Sequence, residues 1–190
     1  MGTEVNVPES SIILNVLQQK PIADMRRLLL VWEGILVMLT LEHRDIFWKI
    51  TTQQLNFLPV DFLFSFPHIE ENIKIGTVKV IYVRTPLAVE VIFDSRDKDL
   101  SYKIAAAPNG KIAPQYHFSN SKRVRAYLGE IVKYKLRKPL NFHRIQADSF
   151  EYWMLENTQM NANLLRENIH AILEFGLDVF DYHSPSADLF

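Results

Sequence analysis

The clearest pattern along the chain is a set of short apolar and polar alternations in its middle. "TVKVIYV" from Thr77, "LAVEVIFD" from Leu87, "LSYKIAAA" from Leu100 and "IAPQYHF" from Ile112 are rich in β-branched and aromatic residues, as strands are. Their separators, "RTP", "SRDKD" and "PNGK", are turn chemistry, and Asn109-Gly110 is the strongest short-range hairpin signal. Connections this short cannot carry parallel crossovers, so an antiparallel meander is expected. Pro114 brings no N–H to a ladder, which puts the last of these strands at an edge.

Helical spacing appears on both sides of this region. "LEHRDIFWKITTQQLNFL" places Ile46, Phe47, Ile50, Gln54 and Leu58 on one side, with Asp45 as a cap and an end before Pro59. "VDFLFSFPHIEENIK" then reads as an irregular aromatic connection, with Phe62, Phe64 and Phe66 alternating toward one buried side. Ser121 to Leu136 predicts an amphipathic helix whose arc holds Val124, Tyr127, Leu128, Ile131, Val132, Tyr134 and Leu136. A longer helix starts at Asp148 or Ser149 and stops at Gly176. Its stripe is Trp153, Met160, Leu164, Ile169 and Leu173, widened by Leu165, Ile172 and Phe175.

Upstream, residues 1–9 read as a disordered tail and Ser10 to Lys20 as a short helix. Leu28 to Leu41 reads as two strands turning at Glu33-Gly34, with a continuous buried helix as the alternative. The expected fold class is α+β, an antiparallel β-meander of about four to six strands. N-terminal helix or hairpin elements precede it, and two C-terminal helices pack on one face. A single domain over residues 10–176 and an acidic aromatic tail over residues 177–190 complete the organisation.

Composition changes this picture in two ways. The 190 residues include no cysteine, which excludes disulfides, thiolate nucleophiles and cysteine-based zinc sites. The net charge of −1 hides a division: His117 to Arg144 holds eight Lys/Arg against Glu130 alone, whereas Ile145 to Phe190 holds eight Asp/Glu against Arg166 alone. That division suggests mutual neutralisation or two surfaces with different partners. The polar start lacks a signal-peptide pattern, and the apolar run 28–41 is shorter than the ~20 residues of a membrane span. An intracellular protein in a reducing compartment, without a membrane partner, is the expectation.

Three chemistries compete. The basic helix offers Lys122, Arg123, Arg125, Lys133, Arg137 and Lys138 to nucleic acid or an acidic partner, with a merely solvated face as the plain alternative. The tail offers Phe180, Tyr182, Leu189 and Phe190 for docking in a partner's groove, or for folding back onto the basic helix. Glu90 and Asp94 with Lys98 could make a magnesium-dependent nuclease, since a divalent ion needs hard oxygen ligands and the attacking water a cationic helper. That strand resembles the acidic strand of the PD-(D/E)XK nuclease fold, although Ile92 stands where that family carries a lysine. The six histidines form no H-x-x-x-H or H-E-x-x-H set, so no metal site is expected from them. No G-x-S-x-G and no phosphate-cradling glycine loop occurs. The resulting expectation is a non-catalytic macromolecule-binding protein without a cofactor. Another protein is its first expected partner and nucleic acid the second; no small-molecule ligand is indicated.

Overall fold

The computed structural model describes residues 42–113, 118–119, 122–141 and 145–182. The chain divides into two compact units, Met1–Glu42 and His43–Phe190. The expectations for residues 1–9, 10–20 and 28–41 lie outside the described residues.

The meander is present. Strands β1 (His68–Asn72), β2 (Thr77–Arg84), β3 (Leu87–Asp94) and β4 (Asp99–Ala106) follow one another, and β7 (Arg125–Tyr127) completes a five-stranded sheet in the order β1-β2-β3-β4-β7. All its pairings are antiparallel. Two-residue strands β5 (Phe118–Ser119) and β6 (Lys122–Arg123) pair separately.

Ladder alternation separates two faces of the sheet. Val78, Val80 and Tyr82 of β2, Val89, Val91 and Phe93 of β3, and Tyr102 and Ile104 of β4 point into the main core. Helix α1, helical over residues 42–54, adds Phe47 and Ile50 to that core, and α4 (Phe150–Phe175) adds Met154, Ala162, Leu165, Ile169 and Ile172. Each fully buried side chain of this size contributes about 1.5–3 kcal/mol. The opposite face carries a small cluster of Ala88, Ala105 and Ala107.

Helix α4 starts and stops as its sequence indicates. Ser149 caps it by accepting the Tyr152 N–H at 3.2 Å, and Gly176 ends it at φ 54°. The Asn109-Gly110 turn also forms, with φ of 57° and 74°. Lys111 N–H donates to the Pro108 carbonyl at 3.2 Å, and Ala113 N–H to the Ala106 carbonyl at 2.7 Å.

Four expectations are corrected. The return from Asn109-Gly110 does not supply the strand beside β4: residues 111–113 are not strand, and Ala106 N–H donates instead to the Val124 carbonyl at 2.7 Å. The next residue in the chain, Pro114, has no N–H with which to continue a ladder. Second, Ser121 to Leu136 is not one helix. Its first half is β6 and β7, and only α3 (Leu128–Glu130) and a π-helical turn (Ile131–Lys135) are helical. β-branched Val124, Ile131 and Val132 satisfy either period, so the helical arc was ambiguous.

Third, α1 ends at residue 54, before Pro59 as expected, but the proline does not stop the helical path and Asp45 does not cap α1. After a turn at residues 55–56, α2 (Phe57–Phe62) contains that proline in its first turn, where a missing N–H costs no hydrogen bond. Asp45 lies inside α1 and pairs with Arg44 at 2.7 Å rather than capping the helix. Fourth, the segment read as an irregular connection holds β1, whose five residues are all exposed. Only Phe64 of the three alternating phenylalanines is buried, and Phe66 is 85% exposed.

Candidate functional site

Small residues set up the first polar feature. Arg125 of β7 stands opposite Ala105 of β4, and Ala105 neighbours Ala106, the partner of Leu87, so Ala88 of β3 completes the row. Passing over the methyl groups of this row, beside Lys103, the Arg125 side chain lies across the sheet and reaches β3, roughly 10 Å away at two strand spacings. There its Nε donates to Glu90 Oε2 at 2.6 Å and Nη2 to Oε1 at 3.0 Å, while Nη2 also donates to the Ala113 carbonyl at 3.2 Å. Glu90 is 2% exposed and Arg125 4% exposed. This bidentate arrangement is the strong form of an ion pair.

It also removes two residues from their expected roles. Glu90 uses both carboxylate oxygens on Arg125, and Arg125 is buried away from any phosphate backbone. Asp94 lies four residues farther along β3, about 13 Å from Glu90. One ion at 2.0–2.6 Å from its oxygens cannot use both, since its ligand atoms must sit within about 5 Å of each other.

Asp94 is instead held by Arg96, whose Nη2 lies 3.2 Å from its Oδ2. Partial burial pushes the Asp94 carboxyl up, but the Arg96 side chain and the Arg96 and Asp97 backbone N–H groups hold it below the ordinary value. Lys98 is exposed in the same turn, at φ 49°. No group of three or more His, Asp or Glu among the described residues is placed to hold a metal ion.

A depressed folded-state carboxyl contributes stability above the unfolded value, and that stability is lost as pH falls through the lower folded value. Asp94→Asn is therefore expected to lower stability at neutral pH by up to about 1 kcal/mol, the range of exposed pairs. The deficit should shrink between neutral and acidic pH, as the wild-type carboxyl also takes up its proton. Urea melts across that range check this.

The basic segment and the start of the tail meet each other. Gly176–Phe180 forms a 3-10 turn that buries Val179 and Phe180. The Arg123 guanidinium lies 4.4 Å from the Tyr182 ring centroid, and Tyr182 stacks near Tyr134 at 6.3 Å. Tyr182 O–H donates to Glu130 Oε2 at 3.3 Å, and Lys135 Nζ donates to the Asp181 carbonyl at 3.0 Å. Burial, the largest influence on Tyr182, pushes its phenol well above the ordinary value.

Fold-back is thus what the structure shows for Phe180 and Tyr182, and residues 177–182 pack with the domain. Leu189 and Phe190 lie outside the described residues. Lys138 donates to Asn168 Oδ1 at 2.7 Å. Lys122, Lys133 and Arg137 stay exposed, as a scattered set rather than one face of a helix.

Sequence reasoning missed the most exposed apolar surface. Val60 of α2 is 65% exposed, Leu63 and Phe66 of the connection 78% and 85%, and Ile69 of β1 37%. Leu63 also closes α2 in the left-handed region, φ 56°, a conformation that costs a bulky residue on the order of 1–3 kcal/mol. The available signal was Leu63 at a helix stop, where glycine or asparagine is usual.

No helix among the described residues is long and apolar enough to cross a membrane. The fold and these sites define an α+β protein built on a five-stranded antiparallel sheet. Comparison with known proteins finds no matching family model, no matching curated protein and no matching solved structure.

Proposed function

We propose that the protein is a non-catalytic, macromolecule-binding protein that docks another protein on the apolar surface around Val60, Leu63, Phe66 and Ile69. The observation that carries this reading is Leu63. Its side chain stands mostly in water, and its backbone adopts a conformation that favours glycine. Neither property helps the isolated fold, while both suit a side chain held out to fill a partner's pocket. The basic segment and the tail, which contact each other, support this role less well than the α2–β1 surface. A nuclease reading has lost its acidic pair to Arg125 and Arg96.

Leu63→Gly separates binding from folding. Glycine relieves the left-handed penalty, so thermal or urea unfolding should show equal stability or a gain of up to about 1 kcal/mol. A photo-reactive residue at Val60 should form discrete protein adducts in cells, and these should disappear in the Leu63→Gly background. Adducts from a probe at Lys133 instead, or adducts at Val60 indifferent to Leu63, would overturn the assignment.

A further inference from the structure

The two edges of the sheet differ. Strand β7 has three residues, of which Arg125 and Ala126 are buried, whereas β1 has five, all exposed. Strand β1 pairs with β2 without a bulge from His68 to Asn72, and no strand among the described residues pairs with its other side. Alternate residues of such an edge turn both N–H and C=O away from the sheet. Proteins guard open edges with proline, a bulge, a covering element or charge. Strand β1 carries only charge, in the adjacent glutamates Glu70 and Glu71.

An open ladder fixes the conformation of its occupant, because only an extended backbone offers donors and acceptors at the strand repeat. The side chains fix the charge. Glu70 shares one face of the sheet with Lys79, its partner in β2, and Glu71 shares the other with Val78. Glu71 accepts from Arg44 Nη1 at 3.3 Å. Glu70 makes no ion pair with a Lys or Arg among the described residues; His68 Nε2 lies 3.9 Å from its Oε1, and its side chain is 53% exposed.

We propose that β1 binds an extended, basic segment of another protein, which joins the sheet antiparallel to β1. Two adjacent basic residues of that segment stand opposite Glu71 and Glu70, and a β-branched apolar residue follows opposite Ile69. Opposite charges directly across a strand pair attract, and like charges repel. A second copy of this chain is the poorer occupant. Pairing β1 with itself brings two glutamates from each copy to a seam with no Lys or Arg in either strand. A nucleic acid is repelled by the same carboxylates and has no backbone amides with which to join a ladder. The inference rests on the protein-docking reading and specifies the backbone and charge of what is docked.

The test titrates the full chain, followed by NMR, with three short peptides. The first carries two adjacent basic residues and then valine within a run of threonines. The second has glutamates in place of the basic pair. The third keeps every side chain of the first but is N-methylated at consecutive backbone amides, which removes its ladder donors. The first should give saturable shifts at the His68 to Asn72 amides and slow the hydrogen exchange of alternate ones among them. The second and third should bind at least about tenfold more weakly. Glu70→Lys, at an exposed position, should weaken the first peptide about fivefold and strengthen the second.

Equal binding of the second or third peptide, shifts away from β1, or no binding would overturn the proposal. Self-association of the protein that perturbs the same amides would overturn it in favour of a second copy. Leu63 lies outside β1, so Leu63→Gly should leave peptide binding unchanged. Lost peptide binding with intact Leu63-dependent adducts rejects strand addition alone. Retained peptide binding without such adducts rejects the surface around Leu63 alone.

Discussion

Glu90→Ala is expected to lower the unfolding free energy by about 3–5 kcal/mol, because it strands the buried Arg125 guanidinium without its counter-charge. That is a large share of the roughly 5–15 kcal/mol that holds a domain of this kind together. Arg125→Ala should cost a similar amount for the mirror-image reason. Replacing both residues at once, Glu90→Leu with Arg125→Met, should recover most of the loss, since a buried ion pair is close to neutral against a well-packed apolar substitute. Urea melts of Glu90→Leu, Arg125→Met and the double variant carrying both give the coupling directly. Additive losses would mean that the two residues act independently, contrary to their bidentate contact at 2.6 and 3.0 Å. The same result bears on the nuclease alternative: any activity lost in Glu90→Ala would first have to be separated from lost folding.

The second large effect concerns the end of the chain. A protein stopped after Gly176 loses Val179, 0% exposed, and Phe180, 6% exposed, both packed in the main core. Removing a buried aromatic side chain alone costs about 3–5 kcal/mol. The truncated protein should therefore show a stability loss of at least about that size by urea denaturation. A chain stopped after Tyr182 should keep it. If residues 177–182 were a free docking peptide, both truncations would melt like the full chain. Phe180→Ala in the intact chain should reproduce most of the loss, which assigns it to the ring rather than to the new terminus.

How much of this was legible depended on whether a segment had enough residues to display a period. Strands β2, β3 and β4 have eight residues each, and their alternation with Asn109-Gly110 and the other turn signals specified the meander. Helix α4, at 26 residues, was equally plain, including its serine start and glycine stop. Its buried line was less so. Leu165, Ile169 and Ile172 were expected, but Thr158, Ala162 and Asn168 share the inward face, and their residue types do not advertise burial. Strand β7 has three residues, too few for any period, and its buried Arg125, on the face away from the main core, contradicts the usual pattern. Strand β1, exposed throughout, carries no apolar signal because its partner β2 holds it by the backbone. The candidate sites were harder still. Charge alone marked Glu90, Asp94 and the basic segment as available to outsiders, and only three-dimensional placement shows which charges already have each other.

The Arg125 to Glu90 contact has a consequence for which structure the chain selects. A three-residue strand cannot fix its own alignment by hydrophobic pattern, and sliding β7 by one residue along β4 would turn every side chain to the opposite face. Arg125 would then enter the apolar core among Ile104, Val89 and the α4 side chains, and Ala126 would leave it. No carboxylate among the described core residues could receive that guanidinium. The contact thus acts as a key that admits one alignment of β7 against β4.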